Sequence, residues 1–253
     1  NKKLFGKSKS STHAVNQVSL NLKKGETLGL VGESGCGKTT LGKTILMLTE
    51  NFSGDMFFKG ISLASMNKKQ RKTFRKEVQV VFQDPYSSLN PRMRIGTVLA
   101  EARKHHFPEE SKSDRLKVIQ SLLMKNGLLV EDLDKYPHEF SGGQRQRIGI
   151  ARALVTEPEL LVLDESVSAL DVSVQAQILN LLNELKKDFQ LSYIFISHDL
   201  AVVKYMSDRI IVMKDGKFEE QGNAEDIYRR PVSEYTKKLI SAVPGYQNSS
   251  GST

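Results

Sequence analysis

The run Gly32-Glu33-Ser34-Gly35-Cys36-Gly37-Lys38-Thr39 fits the pattern G-x-x-x-x-G-K-[ST], and its chemistry is that of phosphate binding. Glycines let successive backbone N–H groups curl round phosphate oxygens, and a helix N-terminus adds positive potential at the same spot. The context is right. An apolar run, Thr27 to Val31, leads in with strand character, and Thr40 to Leu46 leads out with helical character. In that geometry Lys38 reaches the β- and γ-phosphates of a nucleoside triphosphate, and the Thr39 hydroxyl is placed to ligate Mg²⁺. An ordinary glycine-rich turn with a solvated lysine would not need both flanks.

A second constellation lies far along the chain. Leu160-Leu161-Val162-Leu163 is an apolar strand that ends in two carboxylates, Asp164 and Glu165. Such a strand carries Asp164 to the C-terminal edge of a sheet, where it can hold Mg²⁺ directly or through water. Glu165, one residue on, would face the γ-phosphate and accept a proton from an attacking water. Ser141-Gly142-Gly143-Gln144 opens a helix, with Ser141 and Gln144 spaced as a capping box. Capping does not require two glycines, which weaken a helix. They make sense where an anionic ligand approaches the backbone closely. One chain then holds two phosphate-facing helix ends, and a single nucleotide cannot easily use both from one molecule.

These residues need a scaffold. Short apolar, β-branched runs recur at Leu28 to Val31, Val78 to Phe82, Leu160 to Leu163, Tyr193 to Ile196 and Ile210 to Met213. Amphipathic patterns lie between them: Val174, Ile178, Leu181 and Leu185 share a helical face, as do Leu116, Ile119 and Leu123. Strands alternating with helices predict an α/β fold with a largely parallel sheet covered on both faces. The stretch 91–136 is polar and helical in pattern, broken at Pro108, and reads as an inserted lobe. The chain opens on a polar, loop-like segment, as though a first strand were missing, and the last residues, from Asn248, read as a disordered tail.

Composition narrows the class. No run approaches the roughly 18 consecutive apolar residues of a membrane span. The single cysteine, Cys36, rules out an internal disulfide framework and agrees with a reducing compartment; its place in the loop calls for a small side chain. Lys plus Arg number 37 against 29 Asp plus Glu, a net charge of +8. The excess gathers near the N-terminus and in the stretch from Lys68 to Lys76, without interleaved aromatics to stack on bases. A solvated basic face, with some attraction to anionic lipid, explains it better than nucleic acid does.

The ordered series, taken together, resembles the motif set of ATP-binding-cassette (ABC) ATPases. It comprises the phosphate loop, Gln83 after an apolar strand, Phe140-Ser141-Gly142-Gly143-Gln144, Asp164-Glu165, Ser168-Ala169-Leu170-Asp171 and His198. The resemblance implies a P-loop NTPase core of ABC type. Its mixed sheet is flanked by helices and accompanied by an antiparallel N-terminal β part and an inserted helical subdomain. It assigns 1–90 and 137–220 to the core, 91–136 to the helical lobe and 221–253 to a C-terminal extension.

It also implies roles. Phe5 stands where an aromatic stacks on adenine, although tyrosine is usual there. Gly32, Ser34, Gly35, Cys36, Gly37, Lys38, Thr39 and Thr40 would hold the phosphates of ATP, and Thr39, Gln83 and Asp164 would arrange Mg²⁺ and water. Glu165 would be the general base, with His198 on the γ-phosphate. Ser141, Gly142, Gly143 and Gln144 would clamp the nucleotide of a partner cassette, and Asp171 would couple the two sites. The implied assembly is a head-to-tail dimer of identical or different cassettes, which resolves the puzzle of two phosphate-facing helices.

Three segments are similar to the ATPases of oligopeptide, dipeptide and nickel importers: Asp84 to Met93, Tyr136 to Glu139, and Asp171 to Gln177. The C-terminal stretch from Ile227 to Pro244 resembles the extension of that group. Membrane permease subunits, a solute-binding protein and a peripheral position on the inner face of the cell membrane are implied with it. Ser166 departs from the pattern, since proline usually follows the catalytic glutamate. The abrupt start suggests a cassette cut from a longer chain, such as the second of two fused cassettes. The competing readings are a soluble chromosome or repair ATPase, and an ATP-driven switch on ribosomes or nucleic acid. The stretch from Thr40 to Phe140 lacks the heptad coiled coil of the first. The carboxylate at Glu165 speaks for turnover against the second.

Overall fold

The computed structural model describes residues 14–49, 52–84 and 89–243. The main sheet is built from β1 (Thr27–Val31), β4 (Val78–Val81), β5 (Leu160–Asp164), β6 (Ser192–Ser197), β7 (Arg209–Lys214) and β8 (Lys217–Asn223). Its strand order is β4-β5-β6-β1-β7-β8. All neighbours are parallel except β7 and β8, which pair antiparallel. A separate two-stranded antiparallel sheet, β2 (Phe57–Phe58) with β3 (Ile61–Ser62), supplies the small antiparallel part. The five apolar runs thus fall on the five parallel strands.

Every residue of β1, β5 and β6 is buried, as continuous apolar strands covered on both faces must be. Alternate residues divide between two cores. Leu161, Leu163, Tyr193 and Phe195 pack on one side, and Leu160, Val162, Ile194 and Ile196 on the other. Each fully buried aliphatic side chain contributes about 1.5–3 kcal/mol. Neither face can be shed without losing the sheet.

The helices are α1 (Lys38–Ile45), α2 (Lys68–Glu77), α3 (Ile95–His106), α4 (Lys112–Lys125), α5 (Gly142–Leu154), α6 (Val172–Phe189), α7 (Leu200–Met206), α8 (Ala224–Arg229) and α9 (Glu234–Ser241). The first begins at Lys38, inside the phosphate-loop motif, two residues earlier than the sequence pattern suggests. The basic stretch at Lys68 to Lys76 forms α2, capped by an Asn67–Gln70 box and buried only through Phe74. Helices α3 and α4 form the expected helical segment, with Pro108 between them. Buried Arg103 fastens it to the core: the guanidinium meets Glu110 at 2.7–3.0 Å, the Val155 carbonyl at 3.0 Å and Glu157 at 2.8 Å. No described helix is long and apolar enough to cross a membrane. Phe5, the polar opening segment, Pro85 to Ser88 and the tail after Val243 lie outside the described residues.

Candidate functional site

Three strand ends converge. In the parallel register Val31 lies beside Ser197, and Asp164 beside Ile196. The phosphate loop after β1, the acidic pair ending β5 and His198 after β6 therefore share one sheet edge. That edge, at the C-terminal ends of the strands, is where open α/β sheets bind ligands.

The loop is held in shape by its own backbone and by the β7–β8 turn. Gly37, the N-cap of α1, has φ 109°, a left-handed conformation that favours glycine. A β-carbon there would also run into the Ala14 carbonyl. Gly35, at φ 82°, has open space where its side chain would be, so a ligand can approach the main chain. From below, Gly216 N–H donates to the Cys36 carbonyl at 3.0 Å, and the Gly216 carbonyl accepts from Asn16 N–H at 2.7 Å. Asp215-Gly216 stands apart from the phosphate-site motifs in the sequence. An Asp-Gly pair between two strands is a hairpin signal, and both residues have positive φ here. Its support of the loop is visible only in three dimensions.

Lys38 is buried, and its ammonium donates to the Gly32 carbonyl at 2.7 Å and the Glu33 carbonyl at 2.9 Å. A buried ammonium requires such partners. Its Nζ also lies 3.7 Å from the Cys36 sulfur, and Cys36 is itself buried, a small side chain beneath the loop. Ser34 is exposed at the loop's crest, Thr39 faces solvent and Thr40 is half-buried.

Thr39 and Asp164 meet directly: the Thr39 hydroxyl donates to Asp164 Oδ1 at 3.2 Å. Burial pushes the Asp164 carboxyl above its ordinary value, with the Glu165 charge adding, while the Thr39 bond and the lysines at 38 and 43 oppose it. A carboxylate under that penalty, beside a hydroxyl, is suited to a hard divalent cation. Among the described residues no group of three or more His, Cys, Asp or Glu gathers into a metal cage. Oxygen donors from Thr39 and Asp164 fit Mg²⁺ held jointly with phosphate.

Glu165 sits at φ 47°, unusual for a residue with a side chain, and the turn around it is tightly tied. Its N–H donates to the Ile196 carbonyl at 2.9 Å, and its carbonyl accepts from the Ser168 hydroxyl at 2.9 Å. Its carboxylate lies 3.7 Å from His198 Nδ1. Gln83 Nε2 donates to Ser168 Oγ at 3.2 Å, which brings it to the same turn rather than into a bond with Thr39 or Asp164. Ser166, in the position usual for proline, is buried with its hydroxyl unpartnered among the described residues.

The second glycine-bearing helix forms as expected, with Ser141 Oγ accepting from Gln144 N–H and Ser141 N–H donating to Gln144 Oε1 at 3.0 Å. The two glycines differ in their surroundings. A β-carbon on Gly143 would come within 2.5 Å of Val174 Cγ1 on α6, so close helix packing favours glycine there. At Gly142 the nearest atom would be Leu170 Cδ2 at 3.7 Å, ordinary contact, so packing sets no such limit. Asp171 caps α6, its Oδ1 accepting from Val174 N–H at 3.0 Å. Helix α5 packs on β4 and among α3, α4 and α6, whereas α1 packs on β5 and β6.

Comparison with known proteins agrees with this geometry. The family model for the ABC transporter matches residues 15–168. The oligopeptide transport ATP-binding protein OppF of Bacillus subtilis is 48% identical over 244 residues, covering 96% of this chain and 80% of its own. OppF of Haemophilus influenzae is 51% identical over 243 residues, covering 96% and 73%. The dipeptide transport ATP-binding protein DppF of Lactococcus lactis is 48% identical over 238 residues, covering 93% and 76%. Among solved structures, cbiO1 from Clostridium perfringens, part of the ABC transporter complex cbiONQ, superposes with TM-score 0.77 at 29% identity, covering 94% of this chain and 92% of that one. A dimeric post-hydrolysis state of the ATP-binding cassette MJ0796, bound to ADP and Pi, gives TM-score 0.74 at 27% identity, covering 87% and 94%. Relatives about half identical over nearly the whole chain, a shared fold and a family match over more than half the chain place this protein in the ABC transporter family, as an ATP-hydrolysing, ATP-binding subunit.

Proposed function

We propose that this chain hydrolyses ATP to drive the import of peptides or related small solutes. In this reading it acts as one half of a head-to-tail nucleotide sandwich. The partner is a second ABC ATPase domain, identical or different, and the motion passes to membrane permease subunits. A solute-binding protein would deliver the cargo, and the chain would sit peripherally on the inner face of the cell membrane. The observation that carries the reading is the meeting of Lys38, the Thr39–Asp164 pair and the Glu165–His198 pair at one sheet edge. The peptide class rests on similarity to oligopeptide and dipeptide transport ATP-binding proteins.

The roles follow from placement. The backbone from Gly35 to Thr40 and the Lys38 ammonium hold the triphosphate, which exchanges loop carbonyls for phosphate oxygens as lysine partners. Thr39 and Asp164 would hold Mg²⁺, which spreads charge across the β- and γ-phosphates when bound. Glu165 accepts a proton from the attacking water. His198, 3.7 Å from that carboxylate, orients the water against the γ-phosphate. Gln83, through Ser168, ties the strand-end turn to the same position. Ser141, Gly142, Gly143 and Gln144 clamp the nucleotide seated in the partner, and Asp171 sits at the joint between the sites. The stretch 91–136 would be the lobe that moves against the core (1–90 and 137–220), with 221–253 as an extension.

The test is a disulfide crosslink between Ser34→Cys and Ser141→Cys, introduced separately into two tagged copies carrying Cys36→Ser. ATP should promote a covalent bond between the two tags. Crosslinking only within single chains would refute the sandwich.

A further inference from the structure

Outside the residues assigned so far, one side chain from near the far end of the chain reaches the phosphate loop. The Tyr235 hydroxyl, on α9, accepts a hydrogen bond from the Glu33 N–H at 3.2 Å. The ring is held in place: it packs against the main hydrophobic core, and the Lys214 ammonium lies 5.0 Å from its centroid. Its helix is anchored independently. Glu220 on β8 accepts from the Val232 and Ser233 N–H groups at 2.8 and 3.0 Å, and Glu219 accepts from the Ser233 hydroxyl at 2.6 Å. A carboxylate facing a helix N-terminus is well placed electrostatically. Further along, Ile240 is buried in the core.

Strand β8 belongs to the hairpin whose turn bonds the Cys36 carbonyl through Gly216. The loop is thus gripped at two points, Glu33 and Cys36, by one connected C-terminal unit. We propose that Tyr235 is a positioning residue for the phosphate loop, through which α9 sets the affinity for ATP. The reason is preorganisation. Amides that must point at phosphate bind it best when nothing needs rearranging first, and a fixed Glu33 amide restrains the loop's entry from β1. Burial, with the charges of Glu33 and Asp215 adding, keeps the phenol protonated well above neutral pH, so the acceptor is constant.

The inference rests on the loop binding ATP, and its test separates the two. Tyr235→Phe keeps the ring and its packing and removes only the hydroxyl. Titration with mant-ATP should show affinity weakened about three- to tenfold, the value of one neutral hydrogen bond. The melting temperature without nucleotide should stay at the wild-type value. Lys38→Ala serves as the control for the loop itself. Wild-type affinity in Tyr235→Phe, with binding lost in Lys38→Ala, would overturn the role given to Tyr235. So would a fall in melting temperature accompanying the weaker binding, because the hydroxyl would then support the fold in general. A wild-type chain that binds no mant-ATP would overturn the nucleotide reading and this inference with it.

Discussion

The Thr39 hydroxyl and Asp164 Oδ1 stand 3.2 Å apart although 125 residues separate them in the chain. One belongs to the first turn of α1 and the other ends β5. Their contact exists because β1 and β5 both flank β6 in parallel register, so their C-terminal ends emerge side by side. Two half-motifs with separate bland explanations become one oxygen-lined site.

That site carries a stability cost. Asp164 is buried, and its carboxyl is raised above the value it has in an unfolded chain. A raised carboxyl favours the protonated form in the fold. Its contribution is therefore best below the unfolded value and is lost as pH rises through the carboxylate range. At neutral pH the charge destabilises the nucleotide-free protein. Asp164→Asn should thus raise the urea midpoint at pH 7, with the advantage shrinking as pH falls toward 4. ATPase activity should drop by on the order of 100-fold, as expected when a metal-site oxygen is removed.

Glu165→Gln should separate binding from chemistry. The amide keeps the shape of the side chain but cannot take a proton from water, so turnover should fall on the order of 10²–10⁴-fold. ATP affinity should stay near wild type. Size-exclusion chromatography with ATP should show a stable dimer for this variant. A monomer under those conditions would count heavily against the sandwich.

Gly143 offers a packing test with no nucleotide in it. A methyl group there would press on Val174 Cγ1, 2.5 Å from the ideal β-carbon, so Gly143→Ala should cost about 1–3 kcal/mol. Pairing it with Val174→Ala removes the obstacle. The double variant should be more stable than the sum of the single effects implies, by at least about 0.5 kcal/mol. Denaturant titration of the four proteins measures the coupling, and strict additivity would show that the helices do not meet there.

Ser166 occupies a buried position with no hydrogen-bond partner for its hydroxyl among the described residues. Leaving such a group unpaired costs about 1–3 kcal/mol. Ser166→Ala should therefore be neutral or stabilising, by up to about 1 kcal/mol once the lost contacts are counted. A clear loss of melting temperature would mean that the hydroxyl has a partner.

Much of the site was legible in the linear text because its parts are local. The phosphate loop is a strand, a glycine-rich turn and a helix in immediate succession, and the capping of α5 and α6 spans only a few residues. Four of the five parallel strands declared themselves by unbroken apolar runs; Gln79 interrupts the run on β4, whose middle residues are only half-buried. What the linear text did not show at the Gly142-Gly143 pair was packing: Val174, on the next helix, adds a steric reason for glycine at 143.

From composition and spacing came the nucleotide chemistry, the α/β class and the candidate groups Lys38, Thr39, Asp164 and Glu165, whereas candidate roles for Gln83 and His198 came with the resemblance to ABC ATPases. These depend on short-range periodicity and on which side chains can donate, accept or coordinate. Only the folded chain decided that Thr39 touches Asp164, that Glu165 faces His198, and that Tyr235 and Gly216 grip the loop from the C-terminal side. Contacts between distant segments follow from sheet order and helix packing, and a one-dimensional pattern does not encode which strand lies next to which.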